Sequence, residues 1–153
     1  MGYYQKKCEQ IIKTDINTLW NFISDPSNLK KITPTNLGFM IENSSHNVLT
    51  EGMIIGYNIT PALNINTKWV TEISHVKHKE VFVDQQIYGP YKLWHHQHIF
   101  QVIDDHSVSM IDIITYALPF GIIGDIANYI FVQKKINKIF DYRTIALNKI
   151  FNK

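Results

Sequence analysis

Hydrophobic and polar positions follow two different periods along the chain, and the changes between them divide it into three parts. In the first part, Tyr3–Ile12 has the period of a strand, and apolar positions after Thr14-Asp15 recur at helical spacing. Thr14-Asp15 supplies an N-cap for this helix, and Asp25-Pro26 ends it. A second short helix is predicted over Asn28–Ile32. The chain therefore begins as strand, helix, helix.

Strand-length segments separated by turn residues make up the second part. Segments of this kind, bounded by Gly, Pro, Asn and Asp, are typical of strands joined by short turns. The six predicted strands are Leu37–Glu42, Met53–Ile59, Asn66–His75, Glu80–Ile87, Tyr91–Val102 and Ser107–Leu118. The separators are Ser44–Gly52, Pro61 with Asn64, Val76–Lys79, Gly89-Pro90 and Asp104-Asp105. Six consecutive strands predict an antiparallel meander.

The helical period returns after Pro119 and continues to the end of the chain. One apolar stripe runs along this last predicted helix, with lysines mostly opposite: Val132, Ile136, Ile139, Phe140, Leu147, Ile150 and Phe151. A curved sheet with one apolar face packs well against such a helix when the helix lies across its concave face. We therefore predict an α+β fold, in which a curved antiparallel seven-stranded sheet wraps around a long C-terminal helix and leaves a cavity beside it.

Five segments resemble a known superfamily, in the same order, over nearly the whole chain. They are LWNFISDPSNLKKITP, LGFMI, FVDQQIYGPYKLWHHQHIF, DIITYALPFGIIGDIAN and IFDYR. This pattern resembles the helix-grip fold of the START, polyketide-cyclase and birch-pollen-allergen superfamily (SRPBCC), and especially its bacterial ligand-binding, coenzyme-Q-binding and cyclase-like members. The resemblance implies one START-like domain over residues 1–153. It does not select a function, because the superfamily includes lipid carriers, hormone binders and cyclases.

The composition excludes several classes of protein. Hydrophobic residues make up 45% of the chain and charged residues 18%, which is typical of a globular fold. The net charge of +2 is small and the lysines are scattered, so we expect no nucleic-acid partner. The single cysteine, Cys8, suits a reducing cytoplasm, and no apolar run is long enough for export or stable membrane insertion. We expect a cytoplasmic monomer or weak homodimer without a cofactor.

The stretch WHHQH, residues 94–98, contains three of the seven histidines. Side chains alternate along a strand, so Trp94, His96, His98 and Phe100 share one face, while His95 lies on the other. The first set has the larger aromatic surface and is predicted to face the cavity. The matching inward positions on other strands are Trp69, Thr71, Ile73, Phe82, Asp84, Gln86, Met110, Asp112, Ile114 and Tyr116.

His96 and His98 could bind a metal together with Asp84 or Asp112, since imidazole and carboxylate suit zinc or iron. No second histidine pair and no cysteine cluster supports such a site in the sequence. We therefore predict no metal, and we favour hydrogen-bonded histidines in the cavity wall.

Proton transfer is the third role open to His96 and His98, because histidine titrates near neutral pH. Asp112 or Asp84 would orient the ring, and Tyr116 or Tyr88 would donate a hydrogen bond to a carbonyl of the ligand. This set suits cyclisation, dehydration or isomerisation of a carbonyl compound. No nucleophile motif or phosphate-binding glycine loop accompanies it. We therefore favour binding, with an enzyme as the alternative.

Arg143 is the one arginine of the chain and falls on the apolar stripe of the last predicted helix. A buried guanidinium needs an anionic partner, and Glu72, Asp84 and Asp112 are the candidates on the sheet. One interpretation is a structural ion pair that orients the helix on the sheet. The other is that Arg143 binds an acidic group of the ligand.

The segment LPFGIIGDIAN is predicted to form the mouth of the cavity, because Pro119, Gly121 and Gly124 interrupt regular structure there. Phe120, Ile122 and Ile123 would then form an apolar flap, although packing in the core is equally compatible with Phe120 and Ile123. If exposed, the flap could contact a membrane surface, but it would be a poor anchor without a basic cluster. Alternative lips are the loops Ser44–Gly52 and Ile32–Asn36.

These observations together predict a protein that binds a small hydrophobic molecule, such as a lipid, quinone or polyketide-like aromatic. An interaction module whose interior is filled by its own side chains is a further alternative. The predicted ligand-binding residues are Trp69, Phe82, Asp84, Gln86, Tyr88, Trp94, His96, His98, Phe100, Asp112, Ile114, Tyr116, Phe120, Ile123, Ile136, Phe140 and Arg143.

Overall fold

A computed structural model describes residues 2–38, 40–46, 48–60 and 66–152. Its strands form one antiparallel seven-stranded sheet in the order β1-β7-β6-β5-β4-β3-β2, so strands β2 to β7 are a meander and β1 pairs with β7. The strands are β1 (Tyr4–Ile12), β2 (Met40–Ser44), β3 (Ile54–Ile59), β4 (Thr67–Lys77), β5 (Val81–Tyr88), β6 (Leu93–Asp104) and β7 (Ser107–Ala117). The predicted sheet is confirmed.

The helices stand where the sequence predicts them, after the first strand and at the end of the chain. They are α1 (Ile16–Ile23), 3₁₀ turns at Pro26–Ile32 and Thr35–Leu37, α2 (Ile122–Ala127), a π-helical turn at Asn128–Val132 and α3 (Gln133–Phe151). Asp15 caps α1, because its carboxylate accepts hydrogen bonds from the backbone N–H groups of Asn17 and Thr18 at 2.9 and 3.0 Å. The helix-grip fold predicted from the sequence is confirmed.

Several element boundaries differ from the prediction. Strand β2 begins at Met40 instead of Leu37, because Leu37 is the last residue of a 3₁₀ turn whose C-cap is Gly38, with φ +56°. Glycine adopts this left-handed conformation without steric strain, and it ends the turn before the strand. Strand β6 begins at Leu93, so Tyr91 lies in the preceding turn. The predicted separator residues Pro61 and Asn64 lie outside the described residues, as does position 39 in the predicted second strand.

The segment after β7 is more regular than predicted, since it forms α2 instead of an irregular flap. Gly121 is the N-cap residue of this helix and has φ +53°. Gly124 lies inside it, where a Cβ atom would clash with the carbonyl oxygen of Pro119. These two glycines therefore permit a tight entry into the helix instead of interrupting it.

Two clusters of buried side chains hold α3 against the sheet. The larger includes Trp20, Phe100 and Leu147, with the Trp20 and Phe100 ring centroids 5.4 Å apart. The smaller comprises Ile114, Tyr116, Ile136 and Phe140. Phe140 also contacts the His96 ring edge-on at 5.6 Å between centroids, so α3 packs on the face of the sheet that carries His96. Among the described residues, no helix is long and apolar enough to cross a bilayer.

Candidate functional site

A cavity of about 220 Å³ lies between the sheet and α3. Its wall is mostly apolar and includes side chains of α1, β3, β4 and α3. Three aromatic rings pack together on one part of the wall: the Trp69 and Trp94 centroids are 5.0 Å apart, and Tyr91 lies 4.9 Å from Trp94. The cavity therefore offers a surface for an apolar or aromatic ligand.

Four polar side chains on adjacent strands form a largely buried group beside the cavity, which we call the His–Asp cluster: Asp84, His96, His98 and Asp112. Asp84 lies on β5, the two histidines on β6 and Asp112 on β7. The strand register places Asp84 opposite His96 and Asp112 opposite His98. Since side chains at these positions point to the same face, the register alone brings the four groups together.

Each imidazole of the cluster lies between the two carboxylates. His98 Nε2 donates a hydrogen bond to Asp84 Oδ2 at 2.7 Å, and His96 Nε2 donates one to Asp112 Oδ1 at 2.9 Å. The remaining ring nitrogens face the opposite carboxylates: His96 Nδ1 is 3.3 Å from Asp84 Oδ2, and His98 Nδ1 is 3.1 Å from Asp112 Oδ1. The two rings are 3.7 Å apart between centroids.

Burial and mutual charge decide the protonation of the cluster. Burial alone would lower the pKa of His96, but the charge of Asp84 and the hydrogen bonds to Asp112 and Asp84 leave that pKa raised. Burial would raise the pKa of both aspartates, but His96 and His98 lower that of Asp84, and Arg143 together with the histidines holds that of Asp112 well below its usual range. Both carboxylates are therefore ionised at neutral pH.

Arg143 extends from α3 to the cluster. Its Nη1 atom is 3.7 Å from Asp112 Oδ1, so one of the three predicted counterions lies within ion-pair distance. The guanidinium also lies over the Phe140 ring, 5.8 Å from the centroid. Among the described residues, Arg143 Nε and Nη2 have no hydrogen-bond partner although both atoms are buried. Asp112 is close to only one nitrogen of the guanidinium, Nη1. The geometry is therefore compatible both with a structural ion pair and with binding of an acidic group of the ligand.

Nine of the predicted ligand-binding residues line the cavity: Trp69, Phe82, Asp84, Trp94, His96, His98, Ile136, Phe140 and Arg143. Asp112 is not among the lining residues but contacts both histidines from behind. Phe100 is buried in the larger cluster, and Ile114 and Tyr116 are buried in the smaller one. The Tyr116 hydroxyl donates a hydrogen bond to Asn128 Oδ1 at 2.9 Å. Contrary to the prediction, Tyr116 does not line the cavity.

Four other predicted residues lie away from the cavity. Gln86 folds back onto the turn before β6, where its amide nitrogen donates to the Tyr91 carbonyl at 2.7 Å. Tyr88, the last residue of β5, is 64% exposed. Phe120 and Ile123, in the predicted flap, are 82% and 72% exposed and do not line the cavity. Of the two alternatives that the sequence left open for Phe120 and Ile123, packing in the core and exposure on a flap, the structure has exposure.

Two tyrosines that were not predicted from the sequence also line the cavity, Tyr57 and Tyr91. Burial raises the pKa of both hydroxyls, and in Tyr57 the Asp84 charge adds to this effect. Both hydroxyls therefore keep their protons at neutral pH and can donate hydrogen bonds. Tyr57 lies on the same face of β3 as Ile55 and Ile59, which also line the cavity. The two-residue period of that strand could therefore have predicted it.

Solved structures of similar shape share the same fold. The Zhui aromatase/cyclase from a Streptomyces species has a TM-score of 0.74 and 11% identity, with 95% of this chain and 92% of that one covered. A START superfamily protein from Mycobacterium smegmatis has a TM-score of 0.72 and 9% identity over 99% and 98% of the two chains. Ginseng major latex-like protein 151 from Panax ginseng has a TM-score of 0.66 and 10% identity over 97% of each.

No protein-family model matches the chain, and no curated protein sequence matches it. The structural likeness establishes the fold.

Proposed function

Because the chain has the helix-grip fold of the SRPBCC superfamily, we propose that it binds a small, mainly apolar ligand in the cavity between the sheet and α3. The observation that carries this proposal is the cavity itself, which has aromatic walls and borders a buried polar cluster. Its volume of about 220 Å³ is small for a ligand pocket, so a compact ring system fits better than a long acyl chain. Among the ligand classes expected from the sequence, a quinone or polyketide-like aromatic is therefore favoured.

A cavity-filling substitution tests this proposal. Ile139 lines the cavity from α3, so Ile139→Trp should occupy part of the space and weaken binding of an environment-sensitive apolar dye at least about tenfold, equivalent to about 1.4 kcal/mol. The matched control is Ile145→Trp on the same helix, where the side chain is 54% exposed and does not line the cavity. Dye fluorescence titration of metal-free protein measures both affinities. Equal affinities for the two variants, or no dye binding by the unsubstituted protein, would contradict the proposal.

Acid–base catalysis is the second candidate, because His96, His98 and Asp84 line the cavity together with Tyr57 and Tyr91. Protonated tyrosines suit stabilisation of an enolate-like oxygen, and a histidine held by a carboxylate suits proton transfer. Tyr57 and Tyr91 replace the donors predicted from the sequence.

The catalytic alternative predicts a separation of turnover from binding. Once an apolar carbonyl ligand has been identified by organic extraction and native mass spectrometry, His98→Gln should lower its turnover by about 10²–10⁴-fold while its dissociation constant stays within a few fold. The comparison variant is His95→Gln, since His95 lies on the opposite face of β6. Parallel loss of binding and turnover in His98→Gln would favour simple binding.

A further inference from the structure

We infer that Asp84, His96 and His98 form a binding site for a divalent transition-metal ion such as Zn²⁺, open on one side to the cavity. This inference goes beyond the proposed ligand binding and does not depend on it. The sequence alone argued against a metal, because an H-x-H pair on a strand is weak evidence. The structure adds a third ligand and a second carboxylate behind the rings.

The three side chains present ligand atoms at nearly the spacing that a metal requires. One donor atom from each residue lies within 4.8 Å of the other two. Asp84 Oδ2 is 2.7 Å from His98 Nε2 and 3.3 Å from His96 Nδ1. A tetrahedral ion with bonds of about 2.0–2.2 Å separates its ligand atoms by about 3.3–3.6 Å. When an ion binds, the distance between Asp84 Oδ2 and His98 Nε2 therefore has to increase by less than an ångström.

Asp112 is placed to orient both imidazoles towards the ion. A metal-bound histidine usually donates its other ring N–H to a carboxylate or carbonyl, which fixes the tautomer and the ring plane. Asp112 Oδ1 lies 2.9 Å from His96 Nε2 and 3.1 Å from His98 Nδ1, the two nitrogens that would not coordinate. Arg143 in turn holds Asp112 from α3. One carboxylate oxygen thus lies beside the non-coordinating nitrogen of each histidine.

His98 carries an additional sign of an incomplete site. Its Nδ1 atom is buried and, among the described residues, makes no hydrogen bond of acceptable geometry, although Asp112 Oδ1 is close. When an ion binds at Nε2, the proton now on that atom moves to Nδ1, which can donate it to Asp112 Oδ1 after the ring shift that metal binding requires. The hydrogen bond that His98 Nε2 makes to Asp84 is replaced by two bonds to the same ion. Metal binding therefore satisfies a polar atom that is otherwise unpaired.

The charges of the surrounding groups also suit a cation. With neutral histidines, as coordination requires, two carboxylates and one guanidinium leave a net charge of −1 in a buried region. A divalent ion changes this to +1, which a hydroxide or an anionic ligand oxygen at the remaining position would neutralise. All three ligand residues line the cavity, so that position opens towards a bound ligand. Three protein ligands with an open fourth position are typical of a catalytic, Lewis-acid metal site.

Titration of chelator-treated, full-length protein with Zn²⁺, in competition with a chromophoric chelator and without any organic ligand, tests the site. We expect saturable binding of one ion per chain. His98→Ala should weaken it at least about 100-fold, whereas His95→Ala, on the same strand but the opposite face, should leave it unchanged. Asp112→Asn removes no ligand and should weaken binding by about 10–100-fold. Circular dichroism establishes that each variant is folded.

The unsubstituted protein supplies a second test that does not depend on any variant. Co²⁺ in a four-coordinate nitrogen and oxygen site gives visible absorption bands, which should appear at one equivalent and disappear when Zn²⁺ is added. Absence of stoichiometric binding by the unsubstituted protein, or equal affinities of the His98→Ala and His95→Ala variants, would overturn the site. The dye titration uses metal-free protein, so failure of the metal site and failure of apolar binding are distinguished.

Discussion

Replacing Asp112 with asparagine is expected to lower the free energy of unfolding by about 3–5 kcal/mol, because one partner of a buried set of charges is removed. Asp112 is 6% exposed and faces His96, His98 and Arg143. Asparagine has nearly the same volume, so the loss measures charge and hydrogen bonding instead of packing. Urea denaturation at neutral pH in the presence of a chelator measures the change as a shift in the midpoint.

Two further variants make this prediction specific. Asp105→Asn changes the same residue type at an exposed position in the turn between β6 and β7, and should alter stability by no more than about 0.5 kcal/mol. Adding Arg143→Met to Asp112→Asn removes the charge left without its counterion, and should recover part of the lost stability. If Asp112→Asn behaves like Asp105→Asn, the buried cluster does not contribute as its geometry indicates.

The sequence predicted which strands meet but not the register between them. The meander placed Asp84, His96 and Asp112 on three consecutive strands, and alternation assigned them to one face. The register, with Asp84 opposite His96 and Asp112 opposite His98, depends on the length and shape of the turns. A shift of one residue would have turned the histidines away from the aspartates. The cluster could therefore be suspected from the sequence, but its geometry could not.

The alternation of side chains also predicted more cavity residues than the structure shows. Some residues on the inward face of the sheet pack against α3, and others lie beyond it. Ile114 and Tyr116 share the face of Asp112, but they are covered by Ile136 and Phe140 of α3. Tyr88 shares the face of Asp84 but lies beyond the covered region and is exposed. The position at which α3 crosses the sheet decides which inward residues meet the cavity. That position depends on tertiary packing, and no local period of the sequence encodes it.

The stability of the metal-free protein should depend on pH on both sides of a maximum between about pH 4 and pH 6.5, the ordinary pKa values of aspartate and histidine. On the acid side, Asp84 and Asp112 have lowered pKa values in the folded state. Below about pH 4 these two aspartates bind protons in the unfolded chain but remain ionised in the folded protein. The free energy of unfolding therefore falls as the pH falls through the folded pKa values. On the alkaline side, the raised pKa of His96 contributes stability that is complete below about pH 6.5 and is lost as the pH rises through the folded value.

Comparison of variants assigns the two limbs of this profile to the cluster. Each proton contributes a slope of at most about 1.4 kcal/mol per pH unit, so two shifted aspartates contribute at most about 2.7 kcal/mol per pH unit on the acid side. Asp112→Asn removes one of them, so the stability difference between it and the unsubstituted protein should shrink as the pH falls below about 4.

His96→Gln should flatten the alkaline limb, because glutamine has no proton to lose in this range. Urea midpoints measured from pH 3 to pH 9 with a chelator present provide the profiles. An alkaline limb that persists unchanged in His96→Gln would mean that another group causes it, and that the two carboxylates do not hold the extra proton on this ring.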